Sequence, residues 1–206
     1  MIDTTELEII GRISDAAFYK GKNNIPIHKE DQLTFVESFR PKQIASKLWL
    51  VQELANFKMS YKKVLVLGSW NAILLYELMS KYLQVDWFDF VDKNHQCEVD
   101  RDLYFNLAKL EKNYSSIVCP VEQFTEHFEE YDLIINCSCE HMVDQPAIYG
   151  PLYALQSNNY TSVEDHINCV TSSEQLAHKN NITDVLYQGD KKFDFYTRYM
   201  VIGYYS

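Results

Sequence analysis

Four short stretches carry side chains whose types and spacing could do chemistry. Gly68-Ser69-Trp70 closes the apolar run Val64-Leu65-Val66-Leu67, and a helix-type pattern begins at once behind it. A strand that ends in a glycine turn and opens a helix amino terminus offers backbone N–H groups to a nucleotide-like ligand. About twenty residues further on, the run Val85 to Val91 ends in Asp92, placing a carboxylate where the hydroxyls of a ribose would lie. Together the two loops predict an adenosine-bearing cofactor; the alternative for Asp92 is a strand-end residue that caps the next turn. Asn136 and His141 follow the apolar run Tyr131 to Cys137. A neutral histidine there can take a proton from an acceptor, or it is an ordinary loop histidine. In Gln156 to Thr161, the neutral groups of Asn158, Asn159 and Tyr160 read as an acceptor-binding site, or as a polar turn before a helix.

The segment Cys137-x-Cys139-x-His141 has alternate metal-ligand types, but structural zinc normally takes four ligands from paired knuckles and no second pair exists, so no metal is expected. The five cysteines, at 97, 119, 137, 139 and 169, are odd in number and mostly sit in apolar patterns, which predicts reduced thiols in a reducing compartment. No apolar run is long enough to span a membrane, and the opening residues lack a signal pattern, so a soluble cytoplasmic protein is expected. The net charge of −10 is unevenly spread: residues 1 to 63 hold ten Lys/Arg against eight Asp/Glu, and residues 113 to 178 contain no Lys or Arg. That gap withholds phosphate-neutralising groups from the later loops, which disfavours duplex nucleic acid and points to a small-molecule or peptide acceptor. Only the cluster Arg40, Lys42, Gln43 and Lys47 could reverse this, by folding over the site.

These residues need elements to hold them. Ile10, Ile13 and Ala17, then Leu33 and Val36, then Ile44, Leu48, Val51 and Ala55 keep helical spacing before the first strand, with Pro41 suited to a first turn and a polar loop from Lys20 to Pro26. They predict a helical cap over residues 1–60 on a core over 61–206, all in one domain. Leu75, Leu78 and Tyr82 stripe a helix after the first strand; Val99, Leu103, Leu107 and Leu110 stripe one after the second. Ser116 to Cys119 is a third strand, Val121, Phe124 and Phe128 a third helix, Tyr131 to Cys137 a fourth strand and Leu152 to Gln156 a fifth. Ser162-x-x-Asp165 has the form of a capping box ahead of Val163, Ile167 and Val170, and Ser172-x-x-Gln175 forms a second. Asp184 to Tyr187 and Phe195 to Gly203 are joined by Gln188 to Lys192, too short for a crossover, so the sheet ends in an antiparallel hairpin. The fold class is α/β: a Rossmann-like three-layer sandwich with a mostly parallel seven-stranded sheet.

On these motifs, roughly residues 40 to 203 resemble the class I S-adenosylmethionine-dependent methyltransferases, and among them the small forms carried by bacteriophages. Of the family's acidic-apolar-Gly-x-Gly-x-Gly motif, Gly68 is present; Val66 stands at the acidic position, and Trp70 and Ala72 replace the other glycines. The resemblance implies S-adenosyl-L-methionine as cofactor, with its methionine part at Gly68, Ser69 and Trp70, its ribose at Asp92, and its adenine framed by Pro120, Val121 and Glu122. It places Asn136 and His141 where the transferable methyl meets its acceptor. The DNA amino-methyltransferase Pro-Pro motif is absent, and Cys119-Pro120 reverses the order of the cytosine-C5 enzymes. Methyl transfer to nitrogen or oxygen is the leading reading. The alternative is a non-catalytic protein of the same fold that binds a nucleoside-like ligand or a protein; a nicotinamide oxidoreductase is disfavoured by the terminal hairpin.

Overall fold

A computed structural model of the chain describes residues 11–13, 37–124 and 127–206. Its elements in order are α1 (Pro41–Phe57), β1 (Ser60–Leu67), α2 (Ile73–Tyr82), β2 (Gln84–Asp92), α3 (His95–Ala108), β3 (Tyr114–Val118), β4 (Leu133–Asn136), β5 (Leu152–Asn158), α4 (Ser173–Lys179), β6 (Asp184–Lys192) and β7 (Thr197–Tyr204). The seven strands form one sheet in the order β3-β2-β1-β4-β5-β7-β6. β1 to β5 are parallel, and β7 runs antiparallel to both β5 and β6. The Rossmann-like, mostly parallel sheet with its antiparallel end is therefore the observed fold.

The central strands are buried on both faces, which is why β1 ends in four consecutive buried residues rather than an alternating pattern. Val66 lies between Phe90 and Ile135 in register, and the three point into a core shared with Leu50 and Leu54 of α1, Leu75 and Met79 of α2, and Tyr104 and Phe105 of α3. Leu65, Leu67, Ile134 and Leu155 point the other way, to a core closed by Val170, Leu176, Ala177 and Ile182. The period of two thus divides each strand between two layers.

α1 begins on Pro41 as expected, but its buried stripe is Ser46, Trp49, Leu50, Val51 and Leu54, and Ile44 is turned outward. Two hydrogen bonds tie Ser46 to Gln156 of β5, at 2.8 and 3.1 Å, anchoring the helix on one face of the sheet. The stripe of α3 is likewise rotated: Cys97, Arg101, Tyr104 and Phe105 are buried, whereas Val99 is exposed. Of the earlier cap, Arg12 pairs with the buried Glu77 of α2 at 2.7 Å, and Glu77 also accepts from Tyr104. Ile10, Ala17, Leu33, Val36 and the Lys20 to Pro26 loop lie outside the described residues.

Two expected helices are not formed. Val121–Gln123 and Phe128–Glu130 are single 3-10 turns, with His127 in a left-handed conformation at φ 66° before the second. No helix follows Ser162, because the backbone donors there find other acceptors: Asn168 N–H donates to the Glu140 carbonyl at 2.9 Å and Val170 N–H to that of Asn158 at 3.0 Å. Ile167, which a helix would have buried, is exposed. The second capping box is real, with Ser172 Oγ accepting from Gln175 N–H at 3.1 Å and Gln175 Oε1 accepting from Thr171 N–H at 2.7 Å. The closing hairpin is longer than expected, since Gln188 to Lys192 is strand and residues 193–196 make the turn. No described helix is long and apolar enough to cross a membrane.

Candidate functional site

The strand-to-helix turn after β1 has an unusual backbone. Gly68, Trp70 and Ala72 are all left-handed, with φ of 56°, 53° and 55°. These are the positions at which glycine recurs in the motif described above, so the chain keeps the glycine geometry at two sites without the glycines. Left-handed backbone costs a non-glycine residue about 1–2 kcal/mol, and Arg101 supplies the compensation. This buried guanidinium donates to the carbonyls of Asn71 at 3.0 Å and Trp70 at 2.9 Å, to Ser69 Oγ at 3.2 Å and to Ser116 Oγ at 2.6 Å, while stacking 4.4 Å from the Phe90 ring centroid. Asp92 braces the turn from the other side. Its Oδ2 accepts from Trp70 N–H at 2.8 Å and its Oδ1 from Asn94 N–H at 2.9 Å.

Beside this turn, at the carboxyl ends of β1, β2 and β4, lies a cavity of about 490 Å³. Gly68, Trp70, Asp92, Pro120, Val121 and Glu122 line one side of it; Ser138, Glu140, His141 and Met142 line the other, with Arg198 of β7 and with Gln43 and Lys47 of α1. Ser69 faces away, bonded to Trp70 and Arg101. Asn136 is not on the wall either: it shapes the loop behind it, accepting from Ser138 N–H at 2.9 Å and donating to Met142 Sδ at 3.4 Å. The expected acceptor residues also stand one layer back. Asn158 donates to Glu140 Oε1, Asn159 accepts from Thr197 N–H at 2.8 Å, and the Tyr160 carbonyl accepts from His166.

On the wall opposite Gly68 and Asp92, the sequence places Glu140 as a carboxylate without a compensating partner and gives no sign of Arg198, which supplies one. Glu140 is buried, its Oε1 is 3.2 Å from Arg198 Nη2, and its Oε2 has no hydrogen-bond partner among the described residues. Arg198 also donates to the Cys137 carbonyl at 2.8 Å. Burial, reinforced by the Arg198 charge, holds the Lys47 ammonium below the usual lysine range; burial pushes the Cys137 and Cys139 thiols up. His141 Nδ1 is 3.0 Å from Asp165, and its ring meets the His166 ring edge-on at 4.5 Å. The cations expected to be missing from this region are supplied from outside the 113–178 span: Lys47, Lys93 and Arg198 line the cavity, against the carboxylates of Glu37, Asp92, Glu122, Glu140 and Asp165. Of the front basic cluster, Gln43 and Lys47 reach the cavity, while Arg40 pairs with Glu37 and Lys42 with Asp194.

Neither a family model nor a curated protein matches the sequence. Solved structures do match. TehB from Haemophilus influenzae is similar with a TM-score of 0.56 at 13% identity, over 75% of this chain and 61% of that one. A protein assigned as a sarcosine dimethylglycine methyltransferase from Galdieria sulphuraria gives 0.55 at 15%, over 72% and 65%. Precorrin-6y C5,15-methyltransferase from Geobacter metallireducens gives 0.50 at 11%, over 82% and 90%. The chain spans just under two thirds of the length of the first two. Fold and comparisons together define a Rossmann-like fold of the kind found in methyltransferases, and at these identities the likeness is one of fold.

Proposed function

We propose that the chain is an S-adenosylmethionine-dependent methyltransferase acting on a nitrogen or oxygen of a small-molecule or peptide acceptor. The observation that carries this reading is the turn after β1. Its three left-handed residues, of which Trp70 and Ala72 hold that conformation at energetic cost, are braced by Arg101 and Asp92 and open onto a cavity of cofactor size. The lining fits the cofactor: Asp92 has lone pairs left for ribose hydroxyls, Trp70 and Val121 offer apolar walls, and the excess of carboxylates suits a sulfonium cation. When bound, the cofactor supplies an electrophilic methyl group. The chain's own residues have two tasks, to hold the acceptor in line and to remove its proton. His141, oriented by Asp165, is placed to take that proton, and Glu140 Oε2 is placed to accept a hydrogen bond from the acceptor.

Calorimetric titration with S-adenosylhomocysteine tests this reading. Saturable binding is expected, with a loss of roughly tenfold or more in Asp92→Ala, since a hydrogen bond to a charged group contributes about 1.5–3 kcal/mol. Unchanged affinity in Asp92→Ala would overturn the placement, and tight NADH binding without S-adenosylhomocysteine binding would favour an oxidoreductase. Binding without methyl transfer to any acceptor would leave the non-catalytic alternative, which the engagement of both Asp92 oxygens by backbone N–H groups favours.

A further inference from the structure

On the acceptor side of the cavity, a carboxylate oxygen of Glu140 and one ring nitrogen each of His141 and His166 lie within 4.8 Å of one another. Each of the three has a polar partner behind it. The Asp165 carboxylate stands 3.0 Å from His141 Nδ1, the Tyr160 carbonyl accepts from His166 Nδ1, and Asn158 and Arg198 hold Glu140 Oε1. A carbonyl oxygen can only accept, so His166 carries its proton on Nδ1 and its lone pair on Nε2. Metal-binding histidines are usually oriented in this way, by an oxygen partner on the far nitrogen. The remaining oxygen, Glu140 Oε2, is buried without a hydrogen-bond partner among the described residues, and Glu140 as a whole is only 2% exposed. An isolated buried carboxylate oxygen needs a donor or a cation.

We propose that Glu140, His141 and His166 form a binding site for a divalent first-row transition cation. Two imidazoles and one carboxylate make a donor set suited to zinc, cobalt, iron or manganese rather than to magnesium or calcium, which prefer oxygen. Bonds of about 2.0–2.2 Å bring ligands closer together than 4.8 Å, so the rings close by side-chain rotation, which the exposed His141 permits. Cys137 and Cys139 take no part, because both are buried outside the cluster. Three protein ligands leave coordination positions open, and Glu140 and His141 also line the cavity, so an acceptor oxygen or nitrogen can complete the sphere, in which case the ion takes over the acceptor from His141 and Glu140, whose lone pairs it then holds. That last role rests on the methyltransferase reading; the binding of the ion does not.

Protein stripped with chelator and free of cofactor is titrated with Zn²⁺ by calorimetry and with Co²⁺ by visible absorption, which reports nitrogen and oxygen ligation directly. One ion per chain is expected, with affinity falling roughly tenfold or more in His166→Ala and in Glu140→Gln. His95→Ala, an exposed histidine paired with Glu98, serves as the control and should bind as the parent does. Because Glu140→Gln also disturbs Arg198, His166→Ala carries the decision, with circular dichroism confirming its fold. Lack of saturable binding in the parent, or undiminished binding in His166→Ala, overturns the proposal. S-adenosylhomocysteine affinity measured in the same proteins separates the two readings, since either ligand can fail without the other.

Discussion

At position 68 two demands meet in one missing atom. The φ of 56° favours glycine, and a Cβ built there would lie 1.9 Å from Met142 Cε. Gly68→Ala is therefore expected to lose about 1–2 kcal/mol from left-handed strain, read from urea midpoints, with a smaller packing share because the Met142 methyl is the end of a flexible side chain that can turn away. Measured against Met142→Ala alone, the double variant should still show the backbone share; no difference between those two would mean that the conformation costs nothing. Trp70 and Ala72 carry the same conformation as Gly68 with side chains, and Arg101 is why they can. That arginine was illegible in the sequence. A charged residue on the stripe Cys97-Arg101-Tyr104-Phe105 breaks the apolar periodicity by which a buried face is recognised, so Val99, Leu103, Leu107 and Leu110 offered the more regular face, of which Leu107 and Leu110 only flank the core and Val99 is exposed.

Among elements, the strands were the legible part, because the central ones are apolar runs ended by Gly68, Asp92 and the loop after Asn136, and burial on both faces leaves them few alternatives. The helices of the second layer were not, since Val121, Phe124 and Phe128 keep helical spacing while forming only 3-10 turns around the left-handed His127. The same held for the Arg198 wall of the cavity. Glu140 and Arg198 are 58 residues apart, and no local pattern announces that β7 will bring them together. Removing one member of such a buried pair costs about 3–5 kcal/mol, because the other charge stays buried alone. Arg198→Met should show that loss in a denaturant titration, and adding Glu140→Gln should recover much of it. A double variant no more stable than the single would mean that Arg198 acts through packing alone.

For the molecule as a whole, the two faces of the sheet are unequal. α1, α2 and α3 cover one; short turns, loops and the seven-residue α4 cover the other. Acid stability is set partly at an edge of this arrangement. Burial alone would raise Asp89 on β2, but hydrogen bonds from Ser115, Tyr131 and Trp87 and the charge of Lys63 hold it below the usual carboxylate range. A carboxylate depressed by folding stabilises the native state above its unfolded pKa of about 3.9, and that share is lost as pH falls through the lower folded value. Asp89→Asn should therefore lower stability at pH 7 and flatten its decline below about pH 4. Parallel urea midpoints for parent and variant across that range measure the difference; curves with equal slopes would assign the acid sensitivity to other groups.

β7 is threaded between β5 and β6 although it follows both in sequence. During translation, then, β6 is made before the strand that joins it to the sheet, and the open edge of β5 must wait until residues 197–204 are synthesised. Gly68, Asp92 and Val121 depend on strands already in place by that time, whereas Glu140 has no arginine until Arg198 arrives. The nascent chain thus assembles the Gly68–Asp92 half of its cavity first and the Glu140–Arg198 half last, and a chaperone that shields naked strand edges has its natural substrate in the interval.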